Sequence, residues 1–541
     1  MEKTLLLLTA LAATPTFAQL ADTEILNAND ASAIISDEGF FFNDFQSTVH
    51  GYTIPAGSGV GTFYAASLWA GGLDANGQVH VTAPSNSSLG WRSSPIADMN
   101  SCGTVAYQTA SGQSIWKVTR QEVDDHIAQY LQGGYIPVAA IADWPGNGDV
   151  SLGVADQFAP FVDQDGDGVY EPLDGDYPDF PGDQVVYVIQ NDESYLPQPG
   201  NLGVELHMMF YQFNDNGYMG ETTFLNARVF NRSTISYMDF RMSIYADFDI
   251  GYYEDDYFGS DVTNNMIYGY NGDAFDDTNS ISPGYAANPP CQGIMALNHD
   301  LHASVTFNNG NVFPTAAPIT VAEKYNIMRG LWADDSPMFY GGNGYNAGVT
   351  TTETKILFPG DSDPLGLATN GAIINDDWGE YNANGGSPNP PHDRRGVMSI
   401  SRGDLPAGTS ICADFAFVFN GDAANDPYQN VLNVRNIAGA LQILYDNSSD
   451  FPCGNFTAFT PEITPVEFNV FPNPSYGDIT VQITNSTDPV IIEVRDVSGR
   501  SVYSEISSVE INKIHLDLPA GIYQVIVQSP HSKVAKSLVV Q

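Results

Sequence analysis

The sequence predicts a mainly β protein: a large β-sandwich-type body with a few helices, followed by a small antiparallel β-sandwich. Three observations lead there. Apolar runs such as VVYVIQ at 185–190, VELHMMFYQF at 204–213, TFLNARVF at 223–230 and CADFAFVF at 412–419 are short, β-branched or aromatic, and bounded by turn residues. The 51 glycines and 33 prolines make the connections turn-rich, and neither βαβ alternation nor a fixed-period repeat is visible. At 541 residues, 43% of them hydrophobic and 12% aromatic, the chain is long and apolar enough for at least two cores.

Charge narrows the function classes. With 19 basic and 64 acidic residues the formal charge is −45. Nucleic acid and anionic membranes would be repelled over the whole surface, and cations are the natural counterparts.

Taken in chain order, the first element is an export signal. Residues 1–18 combine an early Lys3, an apolar run from Leu5 to Ala13 and small residues before Ala18, the pattern of a cleaved signal peptide. No later segment approaches about 18 uninterrupted apolar residues, so no transmembrane segment is expected. The β-rich body is assigned to 19–458. Within it, RQEVDDHIAQYLQ at 120–132 reads as a short helix. A longer helix follows the cap pair Asp426-Pro427, with Val431, Val434, Ala438, Leu441 and Tyr445 at helical spacing. Cys102, Cys291, Cys412 and Cys453 make no CxxC. All three complete pairings stay open, Cys412 with Cys453 closing the shortest loop.

The densest run of carboxylates is DQDGDGVYEPLDGDYPDF, beginning at Asp163. Asp163, Asp165, Asp167, the Val169 carbonyl, Glu171 and Asp174 occupy positions 1, 3, 5, 7, 9 and 12 of an EF-hand-like loop, with Gly168 at position 6. Hard oxygen donors at this spacing, with no His or Cys beside them, point to calcium. Pro172, Gly175 and Pro178 prevent a regular exiting helix, so the loop reads as a structural staple and not as a sensor that opens a helix pair. A second acidic group, Asp247, Asp249, Asp255 and Asp256, with Glu254 and Asp261 nearby, is a candidate for another ion, against the plainer reading of a solvated loop.

Catalytic signatures are scarce in the sequence. HExxH, GxSxG and Walker motifs are absent. Glu205 and His207 share one face of a predicted strand and read as a satisfied structural pair before a base and its partner. His299 and His302 form a weak metal pair, and Arg394 and Arg395 are expected to make salt bridges to the acidic body.

Residues 459–465, with Pro461 and Pro465, read as a linker. From 466 to 541 five basic residues face eight acids, so the acidity belongs to the body. Six alternating runs separated by turn signals predict a small Ig-like antiparallel sandwich there. VFPNPSYGDITV at 470–481, VRDVSGRSVY at 494–503 and LDLPAGIYQVIVQ at 516–528 resemble the type A C-terminal sorting domain of type IX secretion cargo in Bacteroidetes, with Pro472, Asn473, Pro474, Gly499, Gly521 and Tyr523 in the matching motifs. The resemblance implies recognition by the type IX secretion machinery, passage through the periplasm and release outside the cell or display on its surface. Runs of the body such as FYAASLWAGGLD at 63–74 and DRRGVMS at 393–399 are similar to segments of large extracellular proteins of unassigned activity carrying the same tail.

Two functions follow as expectations. The first is a non-enzymatic structural or adhesive protein with calcium-stabilised β architecture, its partners surface glycans or other cell-surface components. The alternative is a secreted hydrolase acting on polysaccharide through a carboxylate pair.

Overall fold

The structure, a computed structural model, describes residues 21–43, 50–84, 90–98, 103–104, 114–192, 200–279, 282–308, 312–345, 350–374, 376–383, 385–422, 424–448, 451–453, 467–484, 490–496, 500–507, 509–529 and 532–541. The signal peptide, the linker at 459–465, Cys102 and Gly499 lie outside them. The chain divides into two compact units, one ending at Gly454 and the other beginning at Asn455.

Two large antiparallel sheets build the first unit. The eight-stranded sheet runs in the order Thr23–Leu26, Ser32–Ser36, Tyr52–Thr53, Gly61–Leu73, Tyr237–Phe248, Arg394–Leu405 and Leu301–Phe307, with Val79–Thr82 also paired to Gly61–Leu73. The nine-stranded sheet runs Asp256–Asp261, Met266–Asn271, Cys291–Ala296, Ser410–Asn420, Thr222–Asn231, Val204–Gln212, Gln184–Asn191 and Arg92–Ser93, with Ile115–Thr119 also paired to Gln184–Asn191. The four body strands read from sequence are all present, each within two residues of its expected ends.

The two sheets face each other. Phe63 of the first lies 5.9 Å from Phe417 of the second, ring centre to ring centre, and Thr62 donates to Gln292 Oε1 at 2.8 Å. Period-two alternation then decides which side chains enter this core. Phe415, Phe417 and Phe419 point inward, while Ala416 and Val418 face a second apolar cluster on the outer side. Both faces of the nine-stranded sheet are therefore covered, which is why its strands read as nearly continuous apolar runs.

The outer cluster is closed by the helix Pro427–Asp446. Asp426 caps it by accepting from Gln429 N at 2.8 Å, and Pro427 opens the first turn. Val431, Val434, Ala438, Leu441 and Tyr445 are the buried stripe, as their spacing predicts. Arg120–Gln129 is helical behind a Thr119/Glu122 capping box. A further helix, Val321–Met328, was not anticipated: eight residues are too few for periodicity to show, and Tyr325, Ile327 and Met328 are buried. Cys412 and Cys453 form a disulfide, and Cys291 is a free, buried thiol.

The second unit is a small sandwich. Glu467–Phe471, Asp478–Thr484 and Ile511–His515 make one sheet; Ser501–Ser507, Val490–Arg495, Gly521–Ser529 and Ser532–Val540 make the other. Phe468, Val481, Ile492, Val494, Val525 and Leu538 fill its core. Among the motif residues, Tyr523 is buried and donates to the Pro519 carbonyl at 2.9 Å.

Candidate metal centres

The acidic stretch is the tip of a hairpin whose base pairs Phe161–Val162 with Tyr177–Pro178. The loop between them turns on Gly166 and Gly168 at φ 79° and 84°, where a side chain would strain the backbone. These turns aim N–H groups at the carboxylates. Gly166 and Gly168 donate to Asp163 Oδ1 and Oδ2 at 2.7 and 2.8 Å, and Val169 donates to Asp167 Oδ1 at 2.8 Å. Asp163, Asp165 and Asp167 each offer an oxygen, and the three oxygens lie within 4.8 Å of one another.

The charges are poorly compensated. The Gly168 and Gly166 amides hold Asp163 below the usual carboxylate range. Asp165 is pushed up: the Asp167 N–H favours its ionised form, but lost hydration and the charges of Asp167 and Asp163 outweigh it. Glu171 is raised by lost hydration and then by Asp167, Asp174 and Asp165.

Of the expected ligand set, the structure groups the first three aspartates. Glu171 stands within electrostatic reach of them, and Asp174 and Val169 are exposed on the same loop. One residue was missed. Asp176 is buried and accepts from Gln164 N and Glu171 N, both at 2.8 Å, tying the two ends of the loop together. Its signal was the second Asp of the Asp174-Gly175-Asp176 run, which position 12 of the motif drew attention away from.

The second acidic group differs from its expected composition. Asp247 and Asp249 are joined by Asp393, not by Asp255 and Asp256. The reason is topological: the chain leaves the eight-stranded sheet after Phe248 and enters the nine-stranded sheet at Asp256. There Asp256 Oδ2 accepts from Ile250 N at 3.0 Å and Asp255 Oδ2 from Asp277 N at 3.1 Å. Asp261 pairs with Arg435 at 2.9 Å, and Glu254 accepts from the Tyr252 hydroxyl.

Strand register brings Asp393 in. Asp247 lies directly opposite Arg395 on the neighbouring strand, and Asp393 immediately precedes that strand. Arg395 bonds Asp247 Oδ2 at 3.1 Å and Asp393 Oδ2 at 2.9 Å, while Arg394 grips Glu380 at 2.8 Å. His50 stands on the other side, its Nε2 3.9 Å from Asp249 Oδ2. Burial pushes Asp247 up to about 7 despite the adjacent Arg395, and pushes Asp249 well above the carboxylate range with help from Asp247 and Asp393. Burial likewise drives His50 down to about 4, so it is neutral at physiological pH.

Glu205 and His207 form a buried network. Glu205 Oε1 accepts from His207 Nε2 at 2.9 Å and from Arg232 at 2.8 Å, and its Oε2 accepts from Ile96 N. His207 Nδ1 meets the Tyr187 hydroxyl at 2.7 Å. Burial alone would raise Glu205; the hydrogen bonds and charges of His207 and Arg232 bring it down to about 2. His207 and Tyr187 also line a cavity of about 890 Å³ with Arg120, Arg228, Asp179 and Asp183. His299 and His302 line another of about 590 Å³, where His299 Nε2 meets the Cys412 carbonyl.

Comparison with known proteins bears on the chain unevenly. Among curated proteins nothing matches it. Among solved structures it is similar to a β-glucuronidase from Ruminococcus gnavus, at 9% identity and TM-score 0.12, over 28% of this chain and 26% of that one. It is also similar to a polysaccharide lyase, at 7% identity and TM-score 0.18, over 66% of this chain and 39% of that one. No helix among the described residues is long and apolar enough to cross a membrane. Residues 469–541 match the secretion system C-terminal sorting domain, and the chain is accordingly a type IX secretion cargo, exported to the cell surface or the extracellular space.

Proposed function

We propose that the body is a structural or adhesive protein of the cell exterior, stiffened by calcium at the hairpin loop 163–174. The convergence of Asp163, Asp165 and Asp167 within 4.8 Å carries this reading. Like charges at that separation are tolerated best with a cation among them, and oxygen-only donors in an exposed, adaptable loop suit calcium. Glu171, Asp174 and the Val169 carbonyl lie on the same loop and would supply the rest of the set. Tyr170, at its centre, is held between Asn147 on both backbone atoms and the Ile141 carbonyl, so ordering the loop orders the region beneath it.

The staple acts by mass action. An extracellular module with a dissociation constant of about 10⁻⁴ to 10⁻³ M gains roughly 0.4–1.4 kcal/mol at about 1 mM calcium. Metal-stripped full-length protein should therefore melt at lower temperature with chelator than with calcium, by about 0.4–1.3 °C for a chain this long. Identical melting curves would contradict the staple. The rival reading, a secreted polysaccharide hydrolase, is tested by incubating the same protein with a panel of glycans: turnover would favour it, and the proposed function predicts none.

A further inference from the structure

We propose that His50, Asp247, Asp249 and Asp393 form a buried site for one divalent first-row transition-metal ion, manganese or zinc, at the end of the eight-stranded sheet. This site is separate from the calcium loop and stands or falls independently of it.

Three observations carry the inference. Oxygens of Asp247, Asp249 and Asp393 lie within 4.8 Å of one another, and Asp247 and Asp249 are themselves more than nine-tenths buried. Acid clusters are common without ions, so the second observation matters more. His50 is 5% exposed, neither of its ring nitrogens makes a well-formed hydrogen bond although the Gly251 backbone lies close, and Nε2 points to within 3.9 Å of Asp249 Oδ2. Asp247 Oδ1 and Asp393 Oδ1 are likewise buried without a well-formed hydrogen bond, although the Tyr245 side chain lies close to Asp247. A buried polar atom left unpaired costs about 1–3 kcal/mol. Here several such atoms, donors of metal-ligating type, lie in or beside one cluster.

The third observation is charge. Once ionised, the three carboxylates would exceed the guanidinium of Arg395, which pairs with Asp247 and Asp393, by two negative charges. One divalent ion neutralises them. Ligands about 2.0–2.2 Å from such an ion stand roughly 3–4.4 Å apart, so the three carboxylate oxygens need close by only a few tenths of an ångström, while the His50 ring, near Asp249 but outside that 4.8 Å group, must swing in further. The donor set selects the metal. Calcium and magnesium take oxygen, whereas an imidazole among carboxylates suits zinc, iron or manganese. Arg395, bonded to the other oxygens of Asp247 and Asp393, orients both ligands from behind. Asp393 is the partly exposed member of the group.

The test uses the full-length chain, stripped of metal and then dialysed with excess calcium plus manganese or zinc. The expected result is one manganese or zinc ion retained per chain. Pulsed EPR of the manganese form should show ¹⁴N coupling from the imidazole, and X-ray absorption of the zinc form one nitrogen ligand. His50→Gln should abolish the nitrogen signal and Asp393→Asn should weaken retention at least tenfold, while Asp163→Asn/Asp165→Asn should change neither. The wild-type spectrum decides the matter even where a variant fails to fold. Retention of calcium alone, a bound ion without nitrogen coupling, or loss of the ion in the Asp163/Asp165 variant would overturn the proposal.

Discussion

Asp163, Asp165 and Asp167 crowd together as closely as Asp247, Asp249 and Asp393, yet the two groups manage their charge in opposite ways. The first sits on an exposed loop, where water and four backbone N–H groups share the load. The second is sheathed by the sheet and the chain around His50, where water is scarce and one guanidinium serves two carboxylates. The difference teaches that crowding alone does not make a strong electrostatic site. Dielectric does, because the same separation is several times more costly away from water.

The comparison can be broken most forcefully at Arg395. Replacing it by Met removes the cation bonded to both Asp247 and Asp393 and leaves buried charge unpaired, which costs about 3–5 kcal/mol. Urea unfolding of metal-free protein measures this. A loss below about 1 kcal/mol would mean that the buried cluster is better solvated than its surroundings allow.

Glu205 sharpens the comparison from the other side, since it is as buried as Asp249 but fully paired. Its carboxyl stands at about 2 when folded against 4.5 ordinarily. A depressed acid contributes stability that is complete above its unfolded value and is lost as pH falls through its folded one. Stability should therefore decline between pH 4.5 and 2 more steeply in the wild type than in Glu205→Gln, which will be less stable at neutral pH because His207 and Arg232 lose a charged partner. Equal slopes for the two proteins would refute the pairing.

The smallest effect belongs to the loop. In chelator, Asp165→Asn keeps an oxygen able to accept from Asp167 N and relieves repulsion, so the melting temperature should stay within error of the wild type. With calcium present the same change should cost more, because a ligand charge is gone.

These two clusters also mark how far the sequence could be read. The loop was legible because its carboxylates are local: alternate positions of one short run converge whatever the rest of the fold does. The strands at 185–190 and 412–419 were legible for a similar reason, since a sheet covered on both faces needs apolar residues almost without a break. The buried cluster was only half legible. Asp247 and Asp249 announce themselves by spacing, but Asp393 arrives through strand register from a segment 148 residues away, by the Arg395 pairing, and His50 through a bridge to Asn43. Asp255 and Asp256 looked equivalent to Asp247 because nothing local reveals that the chain changes sheets between them.

Calcium titration of metal-stripped full-length protein, followed by isothermal calorimetry at neutral pH, tests the staple most directly. The account predicts a saturable site with a dissociation constant of about 10⁻⁴ to 10⁻³ M that disappears in Asp163→Asn/Asp165→Asn and persists in Asp249→Asn. Absence of saturable calcium binding in the wild type, or binding undiminished in the Asp163/Asp165 variant, would contradict it.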